Sequence, residues 1–86
     1  MQVSYSKNFK KQFQRCSQKV KKQFQQRLEL FINNPFHTQL NLHKLSGKYD
    51  GLWSINITDD IRAIIDRSFE NLILFVEIGS HSELYK

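Results

Sequence analysis

A single cysteine, Cys16, occurs in 86 residues, so no internal disulfide can form. The three histidines stand in no CxxC or HxxxH pattern, which leaves no structural zinc motif. One proline and three glycines exclude a flexible linker and a glycine-rich dinucleotide loop. The opening MQVSYSKNFKKQ lacks an apolar signal core, and the longest apolar run, Leu72 to Val76, falls far short of the roughly 20 residues that cross a bilayer. The chain therefore reads as cytoplasmic and free of membrane contact. There is no internal repeat, and the length suits one domain over residues 1–86, since separate cores usually need about 100 residues each.

What is present is enough to build a core. Hydrophobic residues make up 40% of the chain and include eleven aromatics, against 24% charged, which is not the composition of a disordered segment. The charge is polarised. Residues 1 to 28 carry Lys7, Lys10, Lys11, Arg15, Lys19, Lys21, Lys22 and Arg27 with no acid, whereas the remaining 58 residues hold five basic and eight acidic side chains. Such a field draws a polyanion to one side, and nucleic acid is the first partner it implies, with an acidic protein the second.

The alternation of Gln2 to Tyr5, with Val3 and Tyr5 inward, predicts an opening strand. Ser6 and Ser17 are each placed to cap a helix, and Phe9, Phe13, Cys16, Val20, Phe24, Leu28 and Phe31 recur at steps of three or four. This predicts two amphipathic helices, about residues 7 to 15 and 18 to 33, folded as a hairpin. Asn33-Asn34-Pro35 ends the second, through the extended bias before proline and the tolerance of asparagine for a left-handed cap. Residues 36 to 43 read as a connection and 46 to 51 as a turn. Strand signals then return: Leu52 to Ile57 alternates, Ile61 to Ile65 is β-branched and Leu72 to Ile78 is a long aliphatic run, joined by links short enough for hairpins. The predicted fold is α+β, in the order βααβββ, with an antiparallel sheet packed on the N-terminal helical hairpin because neither layer can hide its apolar face alone. Residues 79 to 86 follow as a turn and a terminal segment.

His81 stands between two serines just after a glycine at a strand end, and an imidazole with a pKa of about 6.5 can give or take a proton near neutrality. Arg62, on the third strand of that order, has two uses: an ion pair with Asp60 or Glu77, or a permanent charge for a phosphate. His43 and Lys44 border the open face of the sheet, and Lys48, Arg67 and Tyr85 offer phosphate contacts or a stacking surface. Trp53 fits the core better than a base platform. Together these residue types suit metal-free RNA cleavage, in which the 2′-hydroxyl attacks the adjacent phosphorus with a proton acceptor, a proton donor and cations for the phosphoryl charge. No carboxylate cluster points to a two-metal reaction.

The stretch HKLSGKYDGLWSINITDDIRAII, followed by IGSHSELY, resembles the RelE/ParE superfamily of toxins from toxin–antitoxin systems, and its YafQ-type branch most. The carrying motifs are Leu45-x-Gly47 before the turn, Asp60-x-Arg62-x-Ile64, and the Gly79-Ser80-His81-x-x-Leu84-Tyr85 ending. The resemblance implies an endoribonuclease, an mRNA interferase without a cofactor, that enters the ribosomal A site and cuts message. A co-encoded acidic antitoxin would hold it in a hetero-oligomer. It implies that His81 is the terminal catalytic histidine, that His43 and Asp60 match further catalytic positions, and that Arg62 matches an arginine that steadies phosphate charge. Lys10, Lys11, Lys19 and Lys22 on the helices would then dock on ribosomal RNA, with Lys44, Lys48, Arg67 and Tyr85 near the message. Asn56 departs from the pattern, standing where relatives often carry histidine or arginine. A different function on the same fold is a ParE-like toxin that binds gyrase without nuclease chemistry, and a third is an inert module kept for antitoxin contact.

Overall fold

The computed structural model describes residues 1–85; Lys86, the last residue of the expected terminal segment, lies outside the described residues. Strand β1 (Gln2–Tyr5) leads into helices α1 (Lys7–Gln14) and α2 (Gln18–Asn33). Then come β2 (His43–Lys44), β3 (Trp53–Asn56), β4 (Ile61–Asp66), β5 (Leu72–Ser80) and the short helix α3 (His81–Leu84). The strands form one sheet in the order β1-β5-β4-β3-β2, antiparallel throughout except that β1 runs parallel to β5.

Both serine caps form as the sequence predicts. Ser6 Oγ accepts from Phe9 N–H at 3.0 Å and Ser17 Oγ from Val20 N–H at 3.2 Å, each satisfying one of the orphan donors of a first helical turn. Ser6 does more than cap, because its hydroxyl also donates to the Val76 carbonyl at 2.6 Å and its N–H to Phe75 O at 2.9 Å, pinning the start of α1 to β5. Ser6→Ala should therefore cost about 1–2 kcal/mol, more than Ser17→Ala, whose hydroxyl has only the cap to lose. Urea midpoints of the two variants check the order.

Three details differ from the sequence reading. Asn34 ends α2 at φ −153°, an extended residue before proline, while the left-handed asparagines are Asn41 and Asn71 in later turns. The expected connection ending at His43 contains a 3-10 turn, Thr38–Leu40, and then β2, which pairs His43 with Ser54 and Lys44 with Trp53. Two residues are too few to show a period of two, so this edge strand is silent in the sequence. Finally, β5 runs on to Ser80, and His81 begins a helical turn rather than a loop.

The helical hairpin covers one face of the sheet. Phe9, Phe24, Phe31 and Leu40 pack there against Ile55, Ile57, Ala63, Ile65, Ile73, Phe75 and Ile78. Within this core Phe24 and Phe75 meet edge-on with ring centres 5.3 Å apart, and Phe9 touches both. A smaller cluster on the other face joins Tyr49, Ile64 and Leu84, with Leu45, Leu52 and Val76 around them, so that α3 lies over the sheet face that the hairpin leaves open.

Candidate functional site

Residues paired directly across antiparallel strands share a face. One row on the open face is therefore His43, Ser54, Ile64 and Glu77, and the next is Asn56, Arg62 and Gly79. Gly79 has no side chain, and a Cβ there would meet Leu84 and Glu83 of α3 at 3.4 Å, an ordinary contact distance, so α3 lies directly over this second row. The sheet thus brings Arg62 and His43 to the face that α3 crosses. Strand spacing puts their backbones roughly 12 Å apart, too far for a direct hydrogen bond but within reach of one bridging nucleotide link.

His81 is the first residue of α3 and is exposed. Its N–H donates to the Asp60 carbonyl at 3.2 Å, and its ring lies on Tyr85 with centres 4.7 Å apart. A capping box holds the backbone around it: Ser80 Oγ accepts from Glu83 N–H, and Glu83 Oε1 accepts from Ser80 N–H at 2.8 Å. The S-x-x-E spacing of Ser80 and Glu83 was the sequence signal for this helix, masked by its length of four residues. Arg62 binds the same hairpin through its side chain. Its Nη1 donates to Thr58 O and Asp59 O, each at 2.9 Å. The main chain of His81 and the guanidinium of Arg62 are therefore both held by the β3–β4 turn, where Asp60 is exposed. Beside Arg62, Asn56 Oδ1 is buried with no hydrogen-bond partner among the described residues.

The other candidates divide. His43 is exposed, with Nδ1 2.7 Å from Asn41 O. Lys48 Nζ donates to the Leu84 carbonyl at 3.1 Å and sits over the Tyr49 ring, next to α3. Tyr85 stands between His81 and Tyr49. Lys44 and Arg67 are elsewhere: both cations lie over the Trp53 ring, at 5.4 and 4.7 Å, in a separate hollow on the helical side of the sheet edge. Lys10, Lys11, Lys19 and Lys22 are exposed on α1 and α2, with Lys10 on the rim of an aromatic hollow formed by Tyr5, Phe9, Phe13 and Phe24. A third hollow runs between α1 and α3 past Cys16, whose thiol burial pushes upward in pKa against the lowering effect of Lys21. Neither His81 nor Arg62 lines any of these three hollows. Sequence reasoning missed Tyr49, which it placed in a polar turn; nothing in that stretch signals that the ring is 5% exposed.

Several solved structures share this architecture. YafQ from E. coli strain BL21(DE3) superposes with a TM-score of 0.82 at 20% identity, covering 98% of this chain and 97% of the other. A YoeB/ParE toxin from Agrobacterium tumefaciens gives 0.77 at 18% identity, over 94% and 99%. The toxin of the E. coli DinJ–YafQ toxin–antitoxin complex gives 0.79 at 20% identity, over 98% and 96%. No curated protein sequence matches the chain. The family model described as the bacterial toxin of type II toxin–antitoxin systems, YafQ, matches residues 1–86. Placed beside the fold just described, that full-length match means the chain belongs to the YafQ family of type II toxin–antitoxin toxins.

Proposed function

We propose that this toxin is a ribosome-dependent endoribonuclease that cuts mRNA in the A site by attack of the 2′-hydroxyl on the adjacent phosphorus. The observation that carries the reading is that one hairpin turn anchors both residues, His81 through its main-chain N–H on Asp60 O and Arg62 through Nη1 on Thr58 O and Asp59 O, with the His81 side chain exposed. The 2′-oxygen forms a bond to phosphorus as the bond to the 5′-oxygen breaks. One base takes the 2′-proton and one acid supplies a proton to the leaving oxygen. His81 holds one of these roles, and His43 or Asp60 supplies the other. Arg62, freed from its turn carbonyls or keeping one of them, faces the charge that gathers on the phosphoryl oxygens. Tyr85 and Lys48 border the same area and would stack a base or contact phosphate, whereas Lys44 and Arg67 with Trp53 would engage RNA further along the strand.

Lys10, Lys11, Lys19 and Lys22 dock the body on ribosomal RNA in this reading. Replacing all four with glutamine should weaken ribosome binding and flatten its dependence on salt by about 0.7–0.9 log units per lysine that meets a phosphate. Binding titrations at several salt concentrations measure this, and an unchanged slope would remove the helices from docking. The reading itself is tested by primer extension on message from translating ribosomes with purified toxin: cuts confined to ribosome-bound message support it. Intact message together with inhibited DNA supercoiling would instead favour a gyrase-directed toxin.

The partner proposed is an acidic antitoxin, as the DinJ–YafQ complex of E. coli illustrates for that toxin. An acidic segment with apolar anchors suits the aromatic hollow between α1 and α2, rimmed by Lys10 and Lys21. Among the described residues no helix is long and apolar enough to cross a membrane, and the ribosome places the proposed action in the cytoplasm.

A further inference from the structure

Tyr49 is deeply connected and the reaction above does not use it. The residue ends a 3-10 turn, Gly47–Tyr49, and is buried on the open-face side of the sheet. Its hydroxyl donates to the Leu84 carbonyl at 3.0 Å, a carbonyl shared with Lys48 Nζ at 3.1 Å. A helix of four residues leaves its last carbonyls without intrahelical partners, so the turn supplies donors that α3 cannot supply itself. The Tyr49 ring also meets Tyr85 edge-on, centres 5.7 Å apart at 89°, and Tyr85 in turn carries the His81 ring at 4.7 Å.

On β5, the Glu77 carboxylate, which accepts from Gln12 Nε2 of α1 at 3.2 Å, acts on the phenol electrostatically. Burial first, and Glu77 second, raise the phenol above the ordinary tyrosine range, so it stays a neutral donor across physiological pH. Tyr49 thus ties the turn after β2 to α3 through its hydroxyl and to Tyr85 through its ring.

We infer that Tyr49 is a positioning residue for His81: its hydroxyl fixes the end of α3, its edge fixes Tyr85, and those two contacts set where the imidazole points. The inference rests on the nuclease reading for its functional consequence but not for its geometry. A side chain that only filled the core would need no hydroxyl, and phenylalanine would replace it without moving the imidazole.

The test is Tyr49→Phe in the full chain, read in two ways. The first is the NMR signals of the His81 imidazole, whose ring-current shifts report its stacking on Tyr85. The second is the rate of message cleavage on ribosomes, separated into kcat and KM. The expected result is His81 signals displaced toward free-histidine positions, faster hydrogen exchange at the Tyr85 amide, which is bonded to His81 O, and a kcat lower by about 10–100-fold with KM within about twofold. Unmoved His81 signals overturn the inference whatever the cleavage rate, and displaced signals with an unchanged kcat overturn the positioning role. If wild-type toxin leaves message intact, the nuclease reading fails while the NMR arm still decides where Tyr49 holds the ring. Should Tyr49→Phe fail to fold, nuclear Overhauser contacts in the wild-type protein decide: cross-peaks from the Tyr49 ring to Tyr85 and from Tyr85 to the His81 imidazole support the inference, and their absence overturns it.

Discussion

His81→Ala should lower the rate of message cleavage on translating ribosomes by about 10²–10⁴-fold, the range that one positioned proton donor or acceptor contributes. The fold should survive the change. The side chain is exposed, the bond to Asp60 O is made by the main-chain N–H that alanine keeps, and the capping box belongs to Ser80 and Glu83. What disappears is the imidazole and its contact with Tyr85, so the melting temperature should shift little while the chemistry stops. Purified variant and wild type compared by single-turnover cleavage, with ribosome binding measured in parallel, give the answer. A variant that arrests growth in full without cutting message would transfer the toxicity to a target such as gyrase.

The largest effect on stability should come from Phe75→Ala, at about 3–5 kcal/mol. Phe75 is 0% exposed at the centre of β5, with ring contacts to Tyr5, Phe9 and Phe24 from β1, α1 and α2. Truncation removes these contacts together and opens a cavity where three elements meet, with little freedom for the sheet to close over it. For a chain of this size the melting temperature should fall by more than about 12 °C, against a net stability that is itself only about 5–15 kcal/mol. Phe36→Ala supplies the contrast: the side chain is 72% exposed, and its loss should change stability by less than about 0.5 kcal/mol. Calorimetry of the pair measures the difference. A small shift for Phe75→Ala would mean that the core collapses around the gap.

The helices and the long strands were legible because their signals are repeated. Seven apolar residues in step through Phe9 to Phe31, with serines ahead of both starts, state the hairpin several times over, and Leu72 to Ile78 has no other reading. The elements that were missed are short or depend on distant partners. Strand β2 exists through its pairing with Ser54 and Trp53, and α3 through a cap and the packing of Leu84 on Tyr49 and Ile64, neither of which has periodicity. The same distinction applies to the candidate site. The types of His81, Arg62, His43 and Asp60 could be picked out one by one, and their motifs supplied the resemblance. Their arrangement could not, because the attachment of Arg62 to turn carbonyls, the ring stack of His81 on Tyr85, and the separation of Lys44 and Arg67 to the other side of the sheet are all tertiary facts.

The side chain of Gln12 bears on how the molecule behaves among its own copies. Strand β1 pairs with β5 only as far as Phe75, so the rest of that long strand would expose an open ladder. Gln12 occupies the place at Ile78: its Oε1 accepts from Ile78 N–H at 2.8 Å, as a neighbouring strand's carbonyl would, while its Nε2 donates to the Glu77 carboxylate at 3.2 Å. An incoming chain that tried to extend the sheet there would have to evict it. Loss of this one amide would therefore be felt as stickiness, with concentrated toxin assembling edge to edge through a strip that the monomer now keeps sealed.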